Sequence, residues 1–224
     1  KRTLLIDIDP QSSASSWLGA KEDGRGLFSV FADNGNLVDL VRKTDTPGVD
    51  VIPSSSWLIG VDKALAGEVG AELVFRRAVE KLPRDRWDYM LVDCPPSLGL
   101  LSVSALVACR YILVPGEAHG MALAGLASLV ATTERIRDRL NPSLTLAAIL
   151  ACRVDMRKNL SREVLRRLQD RFGSVLLPAF IRENVRLAEA PSFSKPITAY
   201  DPRSTGTDDY RRHHRRPLLR RQGE

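Results

Sequence analysis

Three aspartates follow short apolar runs at two widely separated points of the chain. Asp7 and Asp9 come at the end of the run that begins at Leu4, and Asp93 ends the run over residues 89–92. Because ligands bind beyond the carboxyl ends of parallel strands, these carboxylates are expected to meet at one edge of a sheet. Mg²⁺ takes a few carboxylate oxygens together with waters and substrate phosphates, so the pattern favours a magnesium site. For any single strand-end aspartate, the alternative role is a helix cap or an Asx turn.

The rest of the chain alternates between strand patterns and helix patterns that would position these carboxylates. Apolar runs predict strands over residues 1–9, 49–53, 87–93, 110–115 and 144–150, with a sixth over 174–178. Amphipathic periodicity predicts helices over residues 71–82, 122–140 and 160–172, the last with Ser161 as its N-cap. Strands that alternate with helices of this length form βαβ units around a mostly parallel sheet, so the fold class is α/β.

Positive charge is concentrated near the end of the sequence. The 224 residues contain 33 Lys+Arg and 27 Asp+Glu, a net charge of +6. Residues 211–224 hold six arginines and one glutamate, so the rest of the chain is nearly neutral. An interpretation of the charge as a nucleic-acid surface therefore applies only to this basic tail, which is either a DNA-contacting arm or a reading-frame scar.

Composition excludes several classes of protein. A chain that is 44% hydrophobic and 27% charged is typical of one globular domain rather than a disordered or collagen-like chain. Cys94, Cys109 and Cys152 are odd in number and widely spaced, which predicts buried, reduced thiols in a cytosolic core. No G-x-G-x-x-G follows a predicted strand, and no nucleophile elbow with a histidine partner occurs, so hydride transfer and nucleophilic hydrolysis are disfavoured.

Further blocks of sequence extend the aspartate pattern along the chain. They are residues 4–11 (Leu-Leu-Ile-Asp-Ile-Asp-Pro-Gln), 50–55 (Asp-Val-Ile-Pro-Ser-Ser), 89–97 (Tyr-Met-Leu-Val-Asp-Cys-Pro-Pro-Ser), 182–193 (Arg-Glu-Asn-Val-Arg-Leu-Ala-Glu-Ala-Pro-Ser-Phe), 195–197 and 200–204. In order and spacing these blocks closely resemble the ParA-type partition ATPases, a branch of the P-loop NTPases related to MinD. The resemblance covers residues 3 to about 210, and it implies a mostly parallel sheet with helices on both faces.

The resemblance implies a role for each residue of the carboxylate pattern. Asp9 corresponds to the residue that orients or polarises the attacking water, with Asp7 as its partner near the metal and the phosphates. Asp93 corresponds to the Walker B aspartate and would hold Mg²⁺ through a water molecule. Phosphoryl transfer needs such groups, because a metal offsets developing charge and a carboxylate fixes the nucleophile. The expected cofactors are therefore ATP and Mg²⁺.

The resemblance also implies residues around the nucleotide. Pro10 and Gln11 would begin a switch-like loop after the first strand. Cys152, Arg153 and the segment over residues 180–184, including Asn184, correspond to the adenine side of the family's pocket.

One departure from the family concerns the phosphate-binding loop. The family has a Lys-Gly-Gly-Val-Gly-Lys-Thr type of loop ahead of its first helix, but no G-x-x-x-x-G-K-[ST] occurs in residues 1–224. The resemblance implies that the family's first strand, which is normally central in the sheet, and the helix that covers it are also absent from these residues. We expect residues 1–210 to be an ATPase domain that is incomplete at its N-terminal side, with residues 211–224 as a tail, and the complete protein to contain the loop. The alternative is a truncated gene product that does not hydrolyse ATP.

The family resemblance further implies non-specific DNA binding by an ATP-dependent homodimer, with hydrolysis stimulated by a ParB-like centromere-binding protein. Arginines recur at helical spacing in the third predicted helix, and one more follows it; the candidates for DNA contact are Arg162, Arg166, Arg167 and Arg186. The alternative is a solvated helix face, partly offset by Glu163. The tail offers only Leu218 and Leu219 as apolar anchors, so a membrane-binding role is rejected.

The predicted function is therefore ATP-dependent segregation of a plasmid or chromosome by a cytoplasmic, nucleoid-associated ATPase. Two other functions stay open. One is a catalytically inactive, ParA-like regulatory module that occupies the dimer face of an intact paralogue. The other is an ATPase of the same superfamily that positions a different cargo.

Overall fold

The computed structural model describes residues 1–21, 24–117 and 122–214. The described residues form two units. Unit 1 contains residues 1–109 together with 191–195, and unit 2 contains residues 110–190 together with the segment from Pro196 onward.

Unit 1 is built around a four-stranded sheet. Its elements are β1 (Thr3–Asp7), α1 (Ser13–Trp17), α2 (Phe28–Ala32), β2 (Arg42–Lys43), β3 (Val49–Ile52), α3 (Val61–Ala64), α4 (Val74–Glu80), β4 (Tyr89–Asp93) and α5 (Leu100–Ala108), with 3₁₀ turns at Leu37–Leu40, Ser56–Gly60 and Ala71–Leu73. The strand order is β2-β3-β1-β4. Strand β1 runs parallel to both β3 and β4, whereas β2 is antiparallel to β3.

The first strand is held by both of its neighbours and by the core of unit 1. Leu4, Ile6 and Ile8 alternate along the chain and have no exposed surface. They belong to one apolar cluster with Phe31 and Phe75, whose rings stack with centroids 5.8 Å apart. Burial of each such side chain contributes about 1.5–3 kcal/mol, so β1 is firmly fixed before any polar contact is considered.

Unit 2 contains a two-stranded parallel sheet with helices. Its elements are β5 (Tyr111–Glu117), α6 (Ala122–Arg139), β6 (Thr145–Cys152), α7 (Asn159–Phe172), α8 (Val185–Glu189), α9 (Ile197–Tyr200) and α10 (Thr205–His214). Its core joins Ile149, Ala151 and Val154 to Val164 and Leu168 of α7. Helix α10 continues past residue 210, the expected boundary of the basic tail, and residues 215–224 lie outside the described part of the chain.

The predicted α/β class with mostly parallel strands is confirmed, and the differences are local. The segment over 174–178 is not a strand, because only Leu176 forms a bridge with β6 and Pro178 has no N–H for a ladder. Ser161 is not an N-cap: α7 begins two residues earlier, after Lys158, and Ser161 is buried inside it. The helix predicted over 71–82 begins as a 3₁₀ turn and is α-helical only from Val74.

Strand β4 has the composition of an interior strand but lies at the edge of its sheet. Tyr89, Met90 and Leu91 are 41%, 45% and 52% exposed, although an apolar run of this kind is typical of strands that are covered on both faces. The edge of a sheet presents N–H and C=O groups that can pair with another strand. An apolar edge strand of this kind is therefore prone to self-association.

We expect the 224-residue chain to self-associate through this edge, and Leu91→Lys to lower the association. The lysine places a charge where a second strand would have to pack, at little cost to a side chain that is half exposed. Sedimentation velocity over a concentration series measures the effect. Ile59→Lys is the matched control, because Ile59 is a more exposed apolar side chain on a 3₁₀ turn of the same unit. An equal effect of both substitutions would contradict the prediction.

Candidate active site

Two of the three predicted carboxylates are brought together by the register of β1 and β4. Asp7 is the register partner of Asp93, and the Ile8 N–H donates to the Asp93 carbonyl oxygen at 2.9 Å. Paired residues of parallel strands project from the same face, so the two side chains leave the sheet on one side. The meeting of carboxylates at the end of parallel strands is thus found as the sequence predicted.

Asp7 is a fully buried carboxylate that is held by α1. Its Oδ2 accepts hydrogen bonds from the Ser15 N–H at 2.8 Å and from the Ser15 hydroxyl at 2.6 Å, and its Oδ1 accepts one from the Asp9 N–H at 3.2 Å. Burial raises the pKa of Asp7, the Ser15 and Asp9 donors oppose the rise, and the negative charge of Asp9 adds to it. Asp7 is therefore fixed in place by neighbouring donors, with both oxygens engaged.

Asp9 forms the first residue of a tight turn that links β1 to α1. Its Oδ1 accepts from the Gln11 N–H at 2.9 Å, and its carbonyl oxygen accepts from the Ser12 N–H at 2.9 Å. The first of these bonds is an Asx turn, and Pro10 suits the second position of such a turn because its ring fixes φ. Ser12 completes the turn with a φ of 55°. Pro10 and Gln11 therefore lie in a defined loop beside the carboxylates.

Asp93 differs from the other two carboxylates because its oxygens accept no hydrogen bond from any described residue. Burial, together with the negative charges of Asp7 and Asp9, raises its pKa to about 6. A carboxylate that is half-buried, without donors and beside two other carboxylates favours a nearby cation.

The carboxylates do not form a complete metal cage by themselves. Among the described residues, no group of three His, Cys, Asp or Glu side chains is placed to hold a metal ion. Mg²⁺ commonly takes one or two oxygens from a protein, and water or ligand oxygens complete its coordination. The residues present fit that ion, because Asp7 and Asp93 bring carboxylate oxygens to this edge of the sheet.

The predicted adenine-side residues lie in unit 2 and have structural partners there. Arg153 has a φ of 53° and its guanidinium donates to Glu117 at 2.9 Å. Asn184 is the N-cap of α8, since its Oδ1 accepts from the Arg186 N–H at 2.8 Å. Cys152 is half-buried, and burial raises the pKa of its thiol to about 11, so the thiol is neutral at physiological pH.

The thiol prediction holds in part. All three cysteines are free of disulfides, as expected, but Cys94 is exposed and the other two are half-buried rather than fully buried.

The candidate DNA-contacting arginines are exposed and each already has a neighbour. Arg166 and Arg167 both donate to Glu163, the second at 2.8 Å, and Arg162 donates to Asn159. Arg186 pairs with Glu189 at 2.8 Å. Exposed ion pairs of this kind contribute between about 0 and 1 kcal/mol, so a phosphate could replace the acidic partner at small cost.

Two serines that the sequence did not single out as site residues support the carboxylates. Ser15 holds Asp7, and Ser54, which is 1% exposed, donates its hydroxyl to the Asp9 carbonyl oxygen at 2.5 Å. Ser54 lies in one of the sequence blocks that indicated the family, but a serine after an apolar run predicts only a turn. Its contact depends on strand register, which the sequence alone does not give.

No helix among residues 1–21, 24–117 and 122–214 is both long and apolar enough to cross a membrane.

Comparison with known proteins identifies a matching family model and several similar proteins. A family model described as an AAA domain matches residues 1–146. The chain is 36% identical over 212 residues to the sporulation initiation inhibitor protein Soj of Bacillus subtilis, covering 94% of this chain and 83% of that protein. It is 38% identical over 213 residues to the chromosome partitioning protein ParA of Caulobacter vibrioides, covering 94% and 80% respectively.

A solved structure extends the comparison to the fold. Cobyrinic acid a,c-diamide synthase of Mycobacterium smegmatis, with bound ATP analogue and magnesium, superposes with a TM-score of 0.73 at 29% identity, covering 87% of this chain and 80% of that one. The fold is that of the P-loop ATPases related to ParA and MinD. The chain belongs to the ParA/Soj family of partition ATPases.

We expect Asp93→Asn to stabilise the chain at pH 7 by about 1–3 kcal/mol, since one pKa unit corresponds to 1.36 kcal/mol. The pKa of Asp93 rises from 3.8 to about 6 on folding. The folded state therefore binds the proton more tightly, and stability falls as pH rises from about 4 to about 6. Asparagine carries no charge, so the variant does not lose this part of its stability as the pH rises.

Urea unfolding of the two proteins at pH 7 and pH 4 measures this difference. The stabilisation should be present at pH 7 and largely absent at pH 4. A variant that is less stable than the wild type at pH 7 would contradict the raised pKa of Asp93 and its attribution to burial and neighbouring charge.

Proposed function

We propose that the complete protein hydrolyses ATP to drive the partitioning of a plasmid or chromosome. The observation that carries the proposal is the pairing of Asp7 with Asp93 across β1 and β4, with Asp9 in the adjoining turn. This arrangement supplies the carboxylates that phosphoryl transfer needs, and it occurs in a member of the partition ATPase family.

ATP and Mg²⁺ are the proposed cofactors. The structural neighbour from Mycobacterium smegmatis was crystallised with an ATP analogue and magnesium. In this chain, Asp93 would hold the ion through water, and Asp7 lies next to it on β1. When bound, the metal offsets the charge that develops on the transferred phosphoryl group.

The chain's own residues would position the reacting water. Asp9 is half-buried, and one of its carboxylate oxygens is tied to the Gln11 N–H, which fixes the orientation of the group. We assign the remaining oxygen to accept a hydrogen bond from the attacking water, which polarises the water and aligns it with the phosphorus. A carboxylate in this position contributes about 10²–10⁴-fold to the rate.

Other parts of the nucleotide site belong to the same proposal. Pro10 and Gln11 would line the phosphate side, while Cys152, Arg153 and Asn184 would line the adenine side. The glycine-rich phosphate loop is absent from residues 1–224, and we propose that the complete protein supplies it. The exposed apolar edge of β4 supports this proposal, because a strand of that composition calls for another parallel strand beside it.

We expect Asp9→Asn in the complete protein to lower kcat for ATP hydrolysis by about 100-fold or more while ATP affinity changes little. The amide oxygen can still accept the Gln11 N–H, so the turn is retained and only the negative charge is lost. Steady-state hydrolysis and calorimetric ATP titration measure the two quantities.

The matched control for this experiment is Asp62→Asn, which removes an exposed carboxylate from α3 of the same unit. It should leave kcat unchanged. Normal turnover by Asp9→Asn would remove the proposed role of Asp9, and absence of turnover by the complete wild-type protein would contradict the ATPase proposal.

The proposal includes non-specific DNA as a partner, together with an ATP-dependent homodimer and a ParB-like centromere-binding protein. The proposed phosphate contacts are Arg162, Arg166, Arg167 and Arg186. The proposed localisation is cytoplasmic and nucleoid-associated. The support lies in the family of the chain and in the exposure of these arginines. Residues 1–210 would form the ATPase domain and 211–224 the basic tail.

We expect the double variant Arg162→Ala with Arg167→Ala to weaken DNA binding and to flatten its salt dependence. Loss of two phosphate contacts lowers the slope of log K against log salt by about 1–2. Fluorescence anisotropy with duplex DNA over a salt series, with ATP present, measures the slope. The control is Arg135→Ala with Arg139→Ala, which removes the same charge from exposed positions on α6. Equal slopes for both variants would show that only net charge matters.

A further inference from the structure

The end of β3 lies directly beside the carboxylate turn. Strand β3 pairs with β1 in parallel register, with Ile52 opposite Ile6. The segments that follow the two strands therefore leave the sheet side by side, and Ser54 reaches the turn that begins at Asp9. Ser54 is 1% exposed and makes two hydrogen bonds to this region.

Ser54 forms hydrogen bonds with groups that hold both carboxylates in place. Its hydroxyl donates to the Asp9 carbonyl oxygen at 2.5 Å, which fixes the backbone that carries the Asp9 side chain. Its N–H donates to the Ser15 Oγ at 2.9 Å, and the Ser15 hydroxyl in turn donates to Asp7 at 2.6 Å. One residue in the segment that follows β3 is thus hydrogen-bonded to the turn of Asp9 and, through Ser15, to the carboxylate of Asp7.

We propose that Ser54 is a positioning residue for the hydrolytic step, which it serves by fixing Asp7 and Asp9 relative to each other. The proposal rests on the proposed ATPase function. Ser54 touches no reacting atom in this scheme; it acts through the Asp9 backbone and through Ser15. Because a misplacement of about 1 Å can cost about 100-fold in rate, loss of this fixation should appear mainly in kcat.

The neighbouring serine provides a matched control within the same loop. Ser55 has no exposed surface, and its hydroxyl also donates to a distant backbone carbonyl, that of Gly24 at 3.1 Å. It accepts from the Trp57 N–H as well, so it too has two hydrogen bonds. Neither bond leads to Asp7 or Asp9. A purely structural role for buried hydroxyls in this loop predicts equal effects at both positions.

The other hydrogen bonds around the Asp9 turn remain when the Ser54 hydroxyl is removed. The Asp9 carbonyl oxygen still accepts from the Ser12 N–H at 2.9 Å, and the N–H of residue 54 still reaches Ser15. No backbone group is left without a partner, so Ser54→Ala should yield a folded protein.

The experiment compares Ser54→Ala with Ser55→Ala in the complete protein. We expect Ser54→Ala to lower kcat for ATP hydrolysis by about 10-fold or more, with KM changed by less than about twofold. Amide hydrogen exchange should become faster at residues 9–15 in this variant. In Ser55→Ala, faster exchange should be confined to the region around Gly24 and Trp57, with kcat near the wild-type value.

Each other outcome overturns the proposal or separates it from the ATPase function. Unchanged kcat in Ser54→Ala, or equal losses of kcat in both variants, would overturn it. If the complete wild-type protein does not hydrolyse ATP, the ATPase proposal fails. The hydrogen-exchange measurement then tests by itself whether Ser54 fixes the positions of Asp7 and Asp9. Unchanged exchange at residues 9–15 would overturn the positioning role, whereas faster exchange confined to Ser54→Ala would support it.

Discussion

The parallel pairing of β1 with β4 is the constraint on which the candidate site depends. It places the carboxyl group of Asp7 next to that of Asp93, and it does so because the apolar residues of β1 are buried in the core of unit 1. A slip of one residue would turn Leu4, Ile6 and Ile8 away from that core. Hydrophobic packing therefore fixes the register, and the register fixes the distance between two groups that repel each other.

This arrangement has an electrostatic cost that the surrounding polar groups reduce only in part. Burial raises the pKa of Asp7, and the Ser15 donors oppose that rise. Asp93 lacks such donors, and its pKa lies near 6. An apolar pair at these two positions would be more stable, since charges are costly in a half-buried place without partners. Sites that keep such charges are frequently functional, which is consistent with a cation bound during the proposed reaction.

The sequence was sufficient for the features that depend on local pattern. The α/β class, most strand positions and the meeting of Asp7 with Asp93 follow from apolar runs that end in aspartate. Features that depend on register or on long-range partners were not accessible. The contact of Ser54 with Asp9 joins residues 45 positions apart, and the start of α7 at Asn159 is set by a turn without a side-chain cap.

The exposed arginines illustrate why counting charges is a weak guide to binding. Helix α7 carries many arginines, yet Glu163 accepts from both Arg166 and Arg167. Arg182, which lies between α7 and α8, is held by the buried carboxylate of Asp209 at 2.7 Å and is thereby tied to α10. Removal of such a partner would leave a buried charge unpaired, so Arg182 contributes to the fold of unit 2 rather than to a mobile basic surface. Fewer positively charged side chains are therefore available to bind a phosphate backbone than the number of arginines suggests. They include Arg162 and Arg167, whose exposed hydrogen bonds exchange readily with those of a phosphate.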